Sequence, residues 1–467
     1  MVFSYCGSVC LPYQPKTESR AGYSIMPHYA ATAPCVASQS ISGYGKRPYI
    51  IDSLVFRTRM HPMNTPSQTT EPSVKPWTAL PLDSLPSPCF IVDEARLLAN
   101  MDVMEQVRAK TGAKILLALK GFSMFSVFGV LQKTLAGTCA SSPHEARLGR
   151  EKFGGIVSTF AAGYSDADMQ EIIPLSDHIT FNSFAQYRRC SPAIHNAREN
   201  GRPIAAGIRI NPEHSEGAVA IYNPCSPQSR LGVRFSDFDR EAGNGSLSGI
   251  SGIHCHTLCE QNADALARTL DVVEKKFGNY LHDMDWYNAG GGHHITREDY
   301  DVELLCERLI RLRDTYKVQV YIEPGEAVAL NAGIFKTTVL DIANADMPIA
   351  ILDSSAPAHL PDVLEMPYRP SVITSDGNVG ELPGKERWTC RLAGKSCLAG
   401  DVMGEYSFKI PLKPGDVLLF MDMAHYTMVK TTTFNGLTLP AIARITPEGD
   451  PILVKEFGYE DFCCRLS

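Results

Sequence analysis

A lysine closing one apolar run, a glutamate closing another, three consecutive glycines and two histidines two residues apart are the groups in this sequence best suited to chemistry. Lys120 ends ILLALK (115–120). An ammonium at the end of a buried strand is costly, and desolvation makes it lose its proton more readily, as imine chemistry with a carbonyl cofactor requires. Taken alone, such a lysine equally fits a side chain snorkelling to the rim of the fold. Glu323, in IEPGEAV, suits a partner for a protonated ring nitrogen, or a plain strand-end ion pair. Gly290, Gly291 and Gly292 let backbone N–H groups close around an anion, although a glycine run also suits a turn. His254 and His256 share one face of a strand. One arrangement stacks an imidazole on a cofactor ring. The other joins the pair to His293 and His294 around zinc, as in a metal-dependent amidohydrolase.

These groups need elements to bring them together. Short apolar runs recur at 115–120, 138–142, 157–161, 178–182, 206–210, 250–256, 284–288 and 318–323, with helix-like segments such as 262–277 and 297–316 between them. Eight strands alternating with helices predict an α/β chain whose residues 79–330 form a (β/α)8 barrel. A barrel of this kind sets its active site at the carboxyl ends of the strands, which gathers Lys120, Ser142, Asn182, Arg209, His256, Gly290–Gly292 and Glu323. The glycines follow the seventh strand, a frequent phosphate position. Beyond residue 330, short apolar runs separated by Pro and Gly predict a mainly β C-terminal domain, 331–467. The strand at 87–93 (SPCFIVD) precedes the barrel and is expected to join that domain. Residues 1–78 hold nine prolines and no sustained periodicity, the composition of a disordered or targeting extension.

Composition excludes several classes. No apolar run approaches the roughly 20 residues of a membrane span. The first 78 residues carry seven Lys/Arg and three Asp/Glu, leaving a net charge of −11 on the rest of the chain. An acidic body argues against a phosphate-backbone partner and suits a cationic ligand, or simply solubility. The 14 cysteines show no framework spacing, which fits free thiols in a reducing compartment. The expected location is cytoplasmic, or a plastid or mitochondrion if the leader is a transit peptide.

Longer stretches carry a resemblance. ALKGFSMFSVF (118–128), INPEHSE (210–216), YNPCSPQSRLGV (222–233), HCHTLCEQNADAL (254–266), GGGHHITREDYDV (290–302), EPGEAVALNAG (323–333), PDVLEMPYRP (361–370), CLAGDVMGEYSF (397–408) and DMAHYTMVKTTTFNG (422–436) occur in the order found in the fold-type III pyridoxal-5′-phosphate (PLP) decarboxylases. Within that group the chain resembles the carboxynorspermidine/carboxyspermidine decarboxylases. The resemblance spans about residues 81–445. It implies an alanine racemase/ornithine decarboxylase-like fold, with a TIM-like barrel binding PLP. The implied function is decarboxylation of a cationic carboxypolyamine to norspermidine or spermidine by a homodimer with shared active sites. It further implies that Lys120 forms the cofactor imine, that His256 stacks on the ring and that Glu323 faces the pyridine nitrogen. Gly290–Gly292 and Tyr426 would hold the phosphate. Cys397, from the second subunit, would reprotonate the substrate carbon, with Glu326, Asp362 and Asp401 near the substrate amines and no metal.

Three positions depart from the wider pattern. Glu326 stands where an arginine commonly follows E-P-G, so phosphate binding leans on backbone and Tyr426. Gly394–Cys397 reads GKSC where GPTC is expected, and 355–360 reads SAPAHL where a cysteine precedes the histidine. The alternatives are another basic amino-acid decarboxylase acting on diaminopimelate, ornithine or arginine, a non-catalytic regulatory relative, or the amidohydrolase above. Retention of Lys120, His256, Glu323 and Cys397 together speaks against a regulatory relative.

Overall fold

The computed structural model describes residues 74–217 and 223–467. Most of the expected 1–78 extension therefore lies outside the described residues. Residues before 79 also pack on the sheet: Trp77 is buried beside Leu80, Leu82 and Leu85, with the Arg96 guanidinium 4.6 Å from its ring. A single aromatic residue between prolines gives no periodic signal, and only tertiary packing recruits it.

Strand β1 (Cys89–Asp93) comes first. Its CFIVD run is buried on both faces, which explains an unbroken apolar stretch where alternation would mark a half-exposed strand. Asp93 then caps the helix Glu94–Thr111 by accepting from Ala95 N at 2.9 Å, and left-handed Gly112 ends it.

The barrel follows. Strands β2 (Lys114–Ala118), β3 (Gly137–Ala140), β4 (Ile156–Phe160), β5 (His178–Phe181) and β6 (Ala205–Asn211) precede a two-residue β7 (Val233–Arg234). Then come β8 (Gly252–Cys255), β9 (Trp286–Asn288) and β10 (Gln319–Ile322). The parallel order β5-β4-β3-β2-β10-β9-β8-β6 closes through β5–β6 pairing, so the eight expected strands form one (β/α)8 barrel. Its amino-terminal end is plugged by Trp286, stacked on His178 at 4.9 Å with Nε1 donating to Ser251 Oγ. Gly207 and Gly252 make that plug possible: a Cβ there would lie 2.3 Å and 1.9 Å from the indole.

The remaining strands are β11 (Gly333–Asn344), β12 (Pro348–Leu352), β13 (Val372–Thr374), β14 (Val379–Gly380), β15 (Trp388–Ala393), β16 (Val402–Phe408), β17 (Val417–Met421), β18 (Ala441–Ile445) and β19 (Pro451–Lys455). They form a sheet in the order β14-β13-β17-β11-β1-β18-β19, with β12, β15 and β16 branching from the long β11. β1 lies inside it, antiparallel to β11 and parallel to β18. The chain thus starts the C-terminal sheet before building the barrel. Barrel and sheet belong to one compact unit, 70–467.

Candidate active site

The carboxyl ends of β2, β8, β9 and β10 bring the polar groups together. Lys120 follows β2 in a tight turn where Gly121 N donates to Ala118 O at 2.9 Å. A Cβ on Gly121 would lie 3.0 Å from Gly325 Cα, so glycine lets the turn touch the end of β10. Gly121 O in turn accepts from Tyr426 N at 2.7 Å, anchoring a loop of the sheet region beside the lysine. Tyr426 holds a φ of +47°, costly for a bulky residue, and sits at the junction of the two regions. Burial pushes its phenol well above the ordinary value, so it remains a neutral hydroxyl.

Glu323 is the best-supported charge in the site. Its carboxylate accepts from Asn288 Nδ2 at 2.6 Å and meets His254 Nε2 at 3.2 Å. Burial acts to raise its pKa, but His254, Asn288 and Lys120 more than offset that and hold it below the ordinary carboxyl value. Burial keeps His254 neutral, so its Nε2 donates as N–H. Phe160 stacks on that ring at 5.6 Å and also lies under the Arg209 guanidinium, which donates to His256 O at 2.9 Å.

His256 is fixed in the same manner. Its Nδ1 accepts from Gly291 N at 2.9 Å, which leaves the proton on Nε2. Burial first, then Lys120 and Arg209, push its pKa well below the imidazole value. A neutral, oriented ring suits stacking on a cofactor. The zinc arrangement fits poorly: His254 is spent on Glu323, His256 on Gly291 and His293 on Tyr300. Among the described residues no group of three His, Cys, Asp or Glu has metal-holding geometry.

The glycine triplet has a steric reason. A Cβ on Gly290, Gly291 or Gly292 would meet a backbone oxygen at 2.6, 2.1 or 2.0 Å. Two of the three backbone amides have partners within the site. Gly290 N already donates to Asn288 Oδ1 and Gly291 N to His256 Nδ1, so the first two amides hold the site itself together.

Glu326 starts the short helix Glu326–Ala329 and lies between His294 Nε2 at 3.2 Å and His425 Nδ1 at 3.7 Å. His425 also meets Asp422 at 3.1 Å. Burial works to lower its pKa, but Asp422, Glu326 and Glu260 outweigh that and raise it. Two imidazoles thus flank the carboxylate that replaces the common arginine. Glu260, in the left-handed region at φ +55°, interacts with Glu326 and Asp362. Asp362 pairs with Lys430 at 2.5 Å.

Asp401 and Cys397 lie in the loop between β15 and β16. Cys397 is exposed. Asp401 orders this loop: its carboxylate accepts from Ala356 N at 2.7 Å and Ser396 N at 3.1 Å. Backbone amides are close, abundant competitors for a short carboxylate, which residue type alone does not reveal. Asn288 was missed from sequence, although the strand-end rule that found Glu323 also points to it. Phe160, the last residue of β4, is reached by the same rule, whereas His425 left no such signal.

The residues present fit PLP: an amine at Lys120, an ionised buried carboxylate for a ring nitrogen at Glu323, a neutral ring at His256 and a glycine-lined approach for a phosphate. Comparisons agree. The family model described as pyridoxal-dependent decarboxylase, C-terminal sheet domain, matches residues 34–424. A carboxyaminopropylagmatine decarboxylase of Synechocystis is 44% identical, covering 83% of this chain and 97% of its own. A carboxynorspermidine/carboxyspermidine decarboxylase of Campylobacter jejuni is 39% identical over 82% of this chain and 99% of its own. The crystal structure of carboxynorspermidine decarboxylase with norspermidine, from C. jejuni, superposes with a TM-score of 0.72 at 38% identity, covering 82% of this chain and all of that one. Diaminopimelate decarboxylase from Helicobacter pylori shares the fold at 16% identity and TM-score 0.69. The chain therefore belongs to the pyridoxal-dependent decarboxylases and is a PLP-dependent carboxy-lyase.

Proposed function

We propose that this protein decarboxylates a carboxylated polyamine, carboxynorspermidine or carboxyspermidine, as a homodimer with shared sites. The observation that carries the chemistry is Glu323 held ionised by Asn288 and His254 next to Lys120. Lys120 supplies the amine that secures the cofactor aldehyde. His256 would offer its neutral ring to the cofactor, Glu323 would serve its ring nitrogen, and Tyr426 with the Gly290–Gly292 run would hold its phosphate. PLP, when bound, supplies the electron sink for the pair left by departing CO2. Glu326, Glu260 and Asp362 make the mouth of the site anionic, the charge a cationic polyamine needs. Cys397 of a second subunit delivers the proton to the substrate α-carbon. Asp401 acts on that thiol's loop rather than on a substrate amine.

A second substrate is favoured by the Synechocystis relative, whose name specifies an agmatine derivative. The two classes differ at the distal end, guanidinium against ammonium, and a carboxylate-lined mouth attracts both. We further place the enzyme in the cytoplasm, with organelle import through residues 1–78 as the alternative, which a tagged full-length chain distinguishes.

Purified protein with PLP should release CO2 from carboxynorspermidine, carboxyspermidine or carboxyaminopropylagmatine, and Lys120→Ala should not. Turnover of diaminopimelate or ornithine in their place would sink the substrate assignment and leave the cofactor chemistry standing. Mixing Lys120→Ala with Cys397→Ala subunits should restore activity that neither has alone. Failure to do so counts against a shared site.

A further inference from the structure

The loop carrying Cys397 is exposed, yet its backbone is fastened residue by residue. Gly394 N donates to Asp401 O at 3.0 Å and Lys395 N to Ser354 O at 3.0 Å. Ser396 N donates to Asp401 Oδ2 at 3.1 Å, and Leu398 N reaches Ser396 Oγ at 3.4 Å. Cys397 N is different. It donates to Asn435 Oδ1 at 3.0 Å, a side chain from the β17–β18 connection. Asn435 has a φ of +61°, a conformation asparagine tolerates better than most residues, and Gly436 follows at +70°. The left-handed turn is thereby the device that aims an amide oxygen at one backbone N–H.

We propose that Asn435 is a positioning residue for the Cys397 thiol. Through this single bond it sets where the loop presents the thiol to the neighbouring subunit. The inference rests on the role given above to Cys397 as proton donor. A loop without the bond would keep its ends, held by Asp401 and Ser354, while its tip at Cys397 could shift. Proton delivery to carbon depends steeply on such placement, and a displacement of about 1 Å can cost on the order of 10²-fold.

The test compares Asn435→Gly, which keeps the turn and removes the acceptor, with Asn435→Asp, which keeps both. In the PLP-loaded enzyme Asn435→Gly should lose about tenfold or more in kcat at unchanged KM, within the range such misplacement allows, and Asn435→Asp should recover most of it. In D2O, wild type should place deuterium on one face of the product carbon, and Asn435→Gly should scramble it. A wild-type kcat and face selectivity in Asn435→Gly overturns the inference. Cys397→Ala separates the two levels: if that variant is also unimpaired, the role of Cys397 itself falls. If it is impaired while Asn435→Gly is not, only the positioning role falls. Should Asn435→Gly fail to fold, amide exchange in wild type decides. The Cys397 amide should be protected, and rapid exchange there overturns the bond.

Discussion

At the scale of single residues the site is governed by who donates to whom. Glu323 stays ionised although buried because Asn288 gives it an N–H and His254 a second one. Asn288 also accepts from Gly290 N, so one amide aligns the carboxylate and the glycine run together. Asn288→Ala removes a hydrogen bond worth about 1–1.5 kcal/mol, equivalent to about one pKa unit. Because that bond lowers the Glu323 pKa, its loss should move the acid limb of the kcat/KM–pH profile upward by about one unit. An unmoved limb would show that Asn288 does not tune this carboxylate. Lys120, Glu323 and His256 were legible from strand ends alone. Asp401 was reached only through the family resemblance, and no strand end points to the two backbone amides its carboxylate accepts from.

At the scale of elements, the barrel is held by matched pairs that residue type only hints at. The eight apolar runs read from sequence correspond to β2–β6 and β8–β10 within a few residues at each end, since buried parallel strands are continuous apolar runs. The plug was not legible. Trp286, Gly207 and Gly252 are far apart in sequence, and nothing local says that two glycines make room for one indole. Gly252→Ala should destabilise the protein by about 1–3 kcal/mol through overpacking, read by denaturant unfolding. Combining it with Trp286→Leu should cost less than the sum of the two single changes, because the clash has gone. Strict additivity would mean that the glycine is needed for another reason.

For the molecule as a whole, buried neutral histidines set the response to acid. Burial pushes His293 and His359 from 6.5 down to about 4. Their folded pKa values lie below the unfolded one, so the stability they permit is complete above pH 6.5 and is lost as pH falls toward 4. Each contributes at most about 3 kcal/mol of that loss by pH 4. His425 runs the other way: its raised pKa gives stability below the unfolded value that fades as pH rises through the folded one. Thermal unfolding should therefore show a steep acid decline that His359→Leu makes shallower. An unaltered slope would place the acid sensitivity elsewhere.

By itself the sequence determined the barrel, the strand ends that gather Lys120, His256 and Glu323, and the family, because strand periodicity, strand ends and long ordered motifs are local properties of the chain. Only the tertiary structure decided how β1 enters the C-terminal sheet, that Gly290 and Gly291 spend their amides inside the site, and that Asp401 and Asn435 serve the Cys397 loop. Each of these depends on which donor reaches which acceptor across distant segments. A residue's type fixes its hydrogen-bonding capacity, and the fold alone fixes its partner.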